Sequence, residues 1–171
     1  MTIKEAVEVK ATFTKKSFAV TLIHDGVGDL DATGSDDLKA VPYGTKLTVT
    51  ATPAAGYELT ALTANGKDIL ATKNFIVKGA TEIRATFSIK HFAITQTQEG
   101  EGKVDVTGAD DLNAVAYGTE LTINATPAEG YELTALTANG TDILATKKVV
   151  VEGNLTVKAT FTKKSLSLIH I

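Results

Sequence analysis

Gly56-Tyr57-Glu58-Leu59-Thr60-Ala61-Leu62-Thr63-Ala64-Asn65-Gly66 occurs twice in this chain, the second time as residues 130–140. A self-match of this kind marks an internal repeat, and a repeat settles the organisation of the fold before any local reading does. Working outward, Phe18 to Lys90 aligns with Phe92 to Lys164 without a gap at an offset of 74, and 45 of the 73 positions are identical. A partial copy comes earlier still. Val9-Lys10-Ala11-Thr12-Phe13 stands one period before Ile83-Arg84-Ala85-Thr86-Phe87, which stands one period before Val157-Lys158-Ala159-Thr160-Phe161. The expected organisation is therefore the end of a preceding repeat over 1–16, one module over 17–90, a second over 91–164, and a tail over 165–171. The tail, Ser165-Leu166-Ser167-Leu168-Ile169-His170-Ile171, departs from the Phe-Ala-Val/Ile-Thr opening of the other copies. It reads either as a diverged first strand or as non-native cloning sequence. Both ends of the chain read as cut.

Inside each copy the apolar period is two. Leu47, Val49 and Ala51 alternate with Thr48, Thr50 and Thr52, and Leu121, Ile123 and Ala125 repeat this one period on. Alternation puts the apolar set on one face of a strand and the threonines on the other. Phe18, Val20 and Leu22 alternate likewise, as do Ile83, Ala85 and Phe87. The 27 threonines suit this reading, because a β-branched carbon fits a pleated, half-exposed surface. Turn pairs separate the runs: Asp25-Gly26, Thr33-Gly34, Tyr43-Gly44, Asn65-Gly66 and Lys78-Gly79. Asn65-Gly66 is the strongest, since a type I′ turn needs positive φ at both central residues, and it predicts a hairpin of Tyr57–Ala64 with Lys67–Leu70. On that strand Leu62 falls out of phase with Tyr57 and Leu59, so a bulge is expected near Ala61. Each copy reads as about six short strands, an all-β module. Its expected core comprises Phe18, Leu47, Val49, Tyr57, Leu59, Leu62, Ile69, Leu70, Phe75, Ile83 and Phe87, with Leu47, Tyr57 and Phe87 at its centre. Leu121, Tyr131 and Phe161 hold that place in the second copy.

The bulk composition narrows the class. Hydrophobic content of 43% and charge of 22% are ordinary for a globular chain. A net charge of −3 without a Lys/Arg cluster argues against nucleic-acid binding, which needs a basic face. There is no cysteine, so disulfides and thiolate metal sites are excluded. No apolar run is long enough for a spanning helix, so no membrane insertion is expected. Met1-Thr2-Ile3-Lys4-Glu5 lacks the apolar stretch of a signal peptide, which says little about compartment in a chain read as an internal piece.

The ordered set Tyr43-Gly44-Thr45, Ala51-Thr52-Pro53, Gly56-Tyr57, Asn65-Gly66 and Ala85-Thr86-Phe87 resembles the divergent internalin-type B-repeat family, also called the Listeria–Bacteroides repeat. The resemblance covers both full copies and the leading partial one. It implies β-rich modules of β-grasp-like fold, where the strand pattern also admits a sandwich-like one, set in tandem in secreted or wall-attached bacterial surface proteins, often beside leucine-rich or immunoglobulin-like domains. It implies an extracellular or cell-surface location and supplies no catalytic residues. Many members of the family carry Trp before the Asn-Gly turn, where this chain has Leu62 and Leu136. That departure removes an aromatic available as a binding platform.

Residues arranged for chemistry are few. His24, His91 and His170 do not pair at metal-ligand spacing, and the second copy has Gln98 in place of His24. No Gly-x-Ser-x-Gly elbow exists, and nothing sets a serine beside a histidine base. Asp25-Gly26-Val27-Gly28-Asp29-Leu30-Asp31 invites a calcium reading, because hard cations take clustered carboxylates. It lacks EF-hand spacing, and Lys103 occupies the place of Asp29 in the second copy, so polar turn residues are the expected reading. Asp36-Asp37 and Asp110-Asp111 read as turns or caps. Gly100-Glu101-Gly102-Lys103 lacks the spacing of a phosphate loop and reads as a hairpin turn. Tyr43, Tyr57, Tyr117 and Tyr131 are expected to close one end of a core, with partner binding as the alternative.

No catalytic, cofactor or metal site is therefore expected, and no enzyme. The leading expectation is a structural and interaction module, a spacer or adhesive stalk of a bacterial surface protein, with neighbouring repeats in the same chain as its partners. The alternatives are a module binding a glycan or host protein, which would gain from avidity, and accessory repeats of a secreted hydrolase. The join is short. Ser88-Ile89-Lys90-His91 spans roughly 13 Å at full extension and carries no Gly- or Ser-rich linker, which predicts a restricted, extended arrangement.

Overall fold

The computed structural model describes residues 8–165, so the tail lies outside the described residues apart from Ser165. Those residues divide into two compact units, one running to Ala54 and taking in Leu59–Phe87, the other joining Ala55–Glu58 to the chain from Ser88 onward. All their regular structure is strand, as the alternating pattern requires.

The first copy holds β1 (Ser17–Phe18), β2 (Val20–Asp25), β3 (Gly28–Thr33), β4 (Val41–Pro42), β5 (Lys46–Pro53), β6 (Tyr57–Ala64), β7 (Lys67–Asp68), β8 (Asn74–Ile76) and β9 (Thr81–Ile89). The second repeats the order as β10 (His91–Phe92), β11 (Ile94–Glu99), β12 (Gly102–Thr107), β13 (Val115–Ala116), β14 (Glu120–Pro127), β15 (Tyr131–Ala138), β16 (Thr141–Asp142), β17 (Lys148–Val150) and β18 (Leu155–Lys163). Six strands of each copy are three residues or longer; β1, β4, β7 and their counterparts are two-residue pairings, too short to show a period.

The longer strands, joined by β7, form a four-stranded sheet in the order β2-β9-β6-β7 and a three-stranded sheet in the order β3-β5-β8. β2 runs parallel to β9, in register from Val20↔Thr81 to Asp25↔Thr86. Parallel neighbours require a crossover, which here is most of the repeat. The turn after Asp25 therefore passes the chain from one sheet to the other. The same geometry corrects the reading of Gly100-Glu101 as a hairpin turn: β11 pairs with β18 and β12 with β14, so the turn links two sheets. Across the parallel pair Arg84 meets Asp25 at 2.9 Å, and Lys158 meets Glu99 at 2.6 Å, so both partners change between copies while the ion pair persists. The hydrogen bond from Arg84 to Asp25, with the attraction of that carboxylate, raises the guanidinium pKa above its ordinary value.

Alternation is realised as burial. In β5 Leu47 and Val49 point inward while Lys46, Thr48 and Thr50 face solvent, and in β9 Ile83, Ala85 and Phe87 are buried. In the second copy Leu121, Ile123, Leu136, Val157, Ala159 and Phe161, from both sheets, form one cluster. This is the layering of the sandwich-like alternative, and no helix occurs among the described residues. Leu47, Val49, Leu62, Ile69, Ile83 and Phe87 are buried as expected, whereas Phe18, Tyr57, Leu59, Leu70 and Phe75 are half-buried. Tyr57 opens β6 away from the centre, and the fully buried Leu62 takes the central place. Val41 and Val77 are buried members that isolated valines did not announce. Backbone pairing draws Val77 in, its N–H donating to Thr45 at 2.9 Å and its carbonyl accepting from Gly44 at 2.7 Å.

Two local expectations are met. Asn65 and Gly66 have φ of 48° and 78°, and the hairpin pairs Thr63↔Asp68 and Ala64↔Lys67. The Asn65 side chain also ties the turn to the closing strand, accepting from Glu82 N–H at 2.7 Å and donating to the Ala80 carbonyl at 3.1 Å. The bulge appears in the second copy, where the register of β15 against β18 shifts between Leu133 and Ala135. Thr134 is the extra residue, and its hydroxyl donates to the Thr160 carbonyl at 3.2 Å. Residues 8–16, by contrast, form no strand, although they match β9 and its flank. Val9 and Phe13 are 88% and 93% exposed where Ile83 and Phe87 are buried. These residues align with β9 and its flank alone and not with β2 or β6, the strands that border β9 in its sheet.

Candidate functional site

The residues singled out for chemistry do not converge. His24 lies exposed near the end of β2, its ring edge-on to Phe87 at 6.0 Å, and His91 opens β10 in solvent. His170 lies outside the described residues. Asp25 ends β2 and is held by Arg84. Asp29 and Asp31 belong to β3 and not to the turn; they project from its outer face opposite Thr52 and Thr50. Asp31 accepts from the N–H of Ala32 at 2.8 Å. Among the described residues, no three His, Cys, Asp or Glu side chains gather as a metal site would require.

The paired aspartates behave as turn residues. Asp37 accepts from Lys39 N–H and Asp111 from Asn113 N–H, each at 2.8 Å, which is the Asx-turn bond of a short polar side chain to backbone two residues on. Tyr43 tilts against Phe18 with ring centroids 6.4 Å apart, and Tyr117 meets Phe92 in the same way at 6.5 Å. These aromatic pairs stand beside the short β1/β4 and β10/β13 pairings. Leu62 and Leu136 have no solvent exposure, which corrects the expectation for the family's Trp position. An aromatic there would enter the core and could not serve as a surface platform.

A concavity of the first copy lies elsewhere, where both sheets end. β7 is the last strand of one sheet and β8 the last of the other. A cleft of about 500 Å³ opens between them, lined by Asn65, Lys67, Ile69, Phe75, Ile76 and Lys78 among others. A cleft of about 260 Å³ occupies the same place in the second copy, with Asn139, Thr141, Ile143, Val149, Val150 and Glu152 at the matching positions. The sequence reading missed this site. Its signal was the cluster of differences between copies at positions 74–78, beside an unchanged 56–66.

Two all-β modules in tandem define a repeat protein. The divergent InlB B-repeat domain matches residues 20–91 and again residues 92–165, and the chain belongs to that family, whose repeats are typical of surface or extracellular bacterial proteins. No curated protein and no solved structure matches the chain.

Proposed function

We propose that the chain is part of a non-enzymatic spacer or adhesive stalk in a bacterial cell-surface or secreted protein, acting outside the cell with neighbouring repeats as its partners. The observation that supports this reading is the tandem family match, joined where β9 ends at Ile89 and β10 begins at His91 with only Lys90 between. Repetition of a compact module adds reach, and a one-residue connection leaves little slack. Thr50→Cys and Asn124→Cys place labels on outward positions of β5 and β14 in a chain with no other cysteine. A spacer predicts a narrow label-to-label distance distribution that broadens when a Gly-Ser segment is inserted after Lys90. A wild-type distribution as broad as that of the insertion variant would overturn the spacer reading in favour of a flexible string of binding modules.

A further inference from the structure

We propose that the cleft between β7 and β8 of the first copy binds an extended acidic polypeptide segment, which adds to the free edge of β8 as a further strand. The proposal does not depend on the spacer reading.

Backbone register supplies the first argument. Val49 N–H donates to the Lys73 carbonyl and Val77 N–H to the Thr45 carbonyl, so the hydrogen-bonded positions of this strand are 73, 75 and 77. In an antiparallel pair the alternate residues turn their N–H and C=O away from the partner. Asn74 and Ile76 therefore present theirs at the edge where the sheet stops. The Asn74 carbonyl takes a bond from the Thr72 hydroxyl at 3.3 Å, which leaves the Ile76 pair as the main point of attachment. An exposed edge of this kind is a template for a guest strand.

Side chains supply the second. Phe75 and the buried Ile69 line the cleft, and Ile76 beside them is 54% exposed. Alternate residues of a guest strand would set apolar groups on this surface. Lys67 and Lys78 stand on the cleft and take no part in an ion pair among the described residues. Asp68 also lines the cleft, its carboxylate accepting from the N–H of Leu70 at 2.8 Å, so the two lysines leave the lining with a net positive charge. Two unpaired cations beside an apolar surface and an open strand edge select an extended segment bearing carboxylates.

The second copy is the internal control. Thr141 and Glu152 replace Lys67 and Lys78, and the added cation Lys148 is bound to Glu120 at 2.7 Å. The edge of β17 persists there, while the charge that would select an acidic guest is gone.

The test is an amide-shift titration of the full chain with the capped peptide Ac-Glu-Val-Glu-Val-Glu-Thr-NH2. Shifts are expected at 65–81 and not at 139–155. Reversing both cations (Lys67→Glu with Lys78→Glu) should weaken binding by about fivefold to tenfold, the range of two exposed ion pairs. Ile76→Pro should abolish it, because it removes an outward N–H without touching the bonds to β5. Thr141→Lys with Glu152→Lys should bring the second cleft into play. Unchanged spectra elsewhere verify folding of each variant. Equal binding of the basic analogue Ac-Lys-Val-Lys-Val-Lys-Thr-NH2, shifts that ignore the charge reversal, or no binding at all would overturn the proposal.

Discussion

Gly26 and Gly28 stand where β2 turns into β3, and each is held there for a different reason. Gly26 has a φ of 81°, and a Cβ on it would overlap the Phe87 carbonyl. Gly28 has no such backbone demand, but its Cβ would lie 2.7 Å from the Thr52 carbonyl and 2.8 Å from the Phe87 ring. Gly44 has a similar φ of 84° with open space around it. The three positions separate backbone strain from close packing. Gly44→Ala is expected to cost about 1 kcal/mol, the left-handed penalty alone. Gly26→Ala, which adds a backbone clash, is expected to cost about 3 kcal/mol. Urea unfolding followed through the amide signals of β9 measures both. Equal shifts in midpoint would show that the turn does not approach Phe87.

At the scale of the element, the bulge at Thr134 decides which side of β15 faces the core. Paired one for one with β18, Leu133 and Leu136 would lie on opposite faces, since they are three apart in a strand of period two. With it, Leu136 reaches full burial while the threonine hydroxyl occupies the Thr160 carbonyl. Deleting Thr134 should leave a regular ladder of Leu133, Ala135 and Leu136 against Phe161, Thr160 and Ala159 with Leu136 still inward, at a cost of about 1 kcal/mol, that of the lost hydroxyl bond. Thr134→Ala keeps the register and loses one exposed hydrogen bond, so about 1 kcal/mol is expected. Hydrogen exchange in β15 and β18 measures both. A deletion that costs about 2–5 kcal/mol, as truncating a buried leucine does, would show that Thr134 is not the extra residue. This element was legible in advance, because the slip of apolar phase between Leu59 and Leu62 is a local property of the chain.

At the scale of the molecule, the acidic residues singled out for calcium are spread over outer strand faces and turns. Asp29 and Asp31 share one face of β3, opposite threonines that offer weak ligands, and Asp25 is committed to Arg84. Calcium would need six to eight oxygens around one point, so no micromolar binding is expected by calorimetry. Heat at micromolar calcium that disappears in Asp29→Asn or Asp31→Asn would refute this. Thermal unfolding should likewise be unchanged by calcium or by a chelator, since a ligand stabilises only the state it binds.

Sequence alone carried the two copies, the strand character of each run and most of the inward set, because repetition and the period of two are written into neighbouring residues. Leu47, Val49, Ile83 and Phe87 could be placed on a buried face without reference to anything distant. Alternation names the face of a strand but not its neighbour. The parallel pairing of β2 with β9, the passage of the Asp25 turn between sheets, and the burial of Val41 and Val77 all depend on contacts remote in the chain. The cleft depended on them too. Lys67 and Lys78 are ordinary solvated charges in the sequence, and they line one cleft only because two different sheets end side by side.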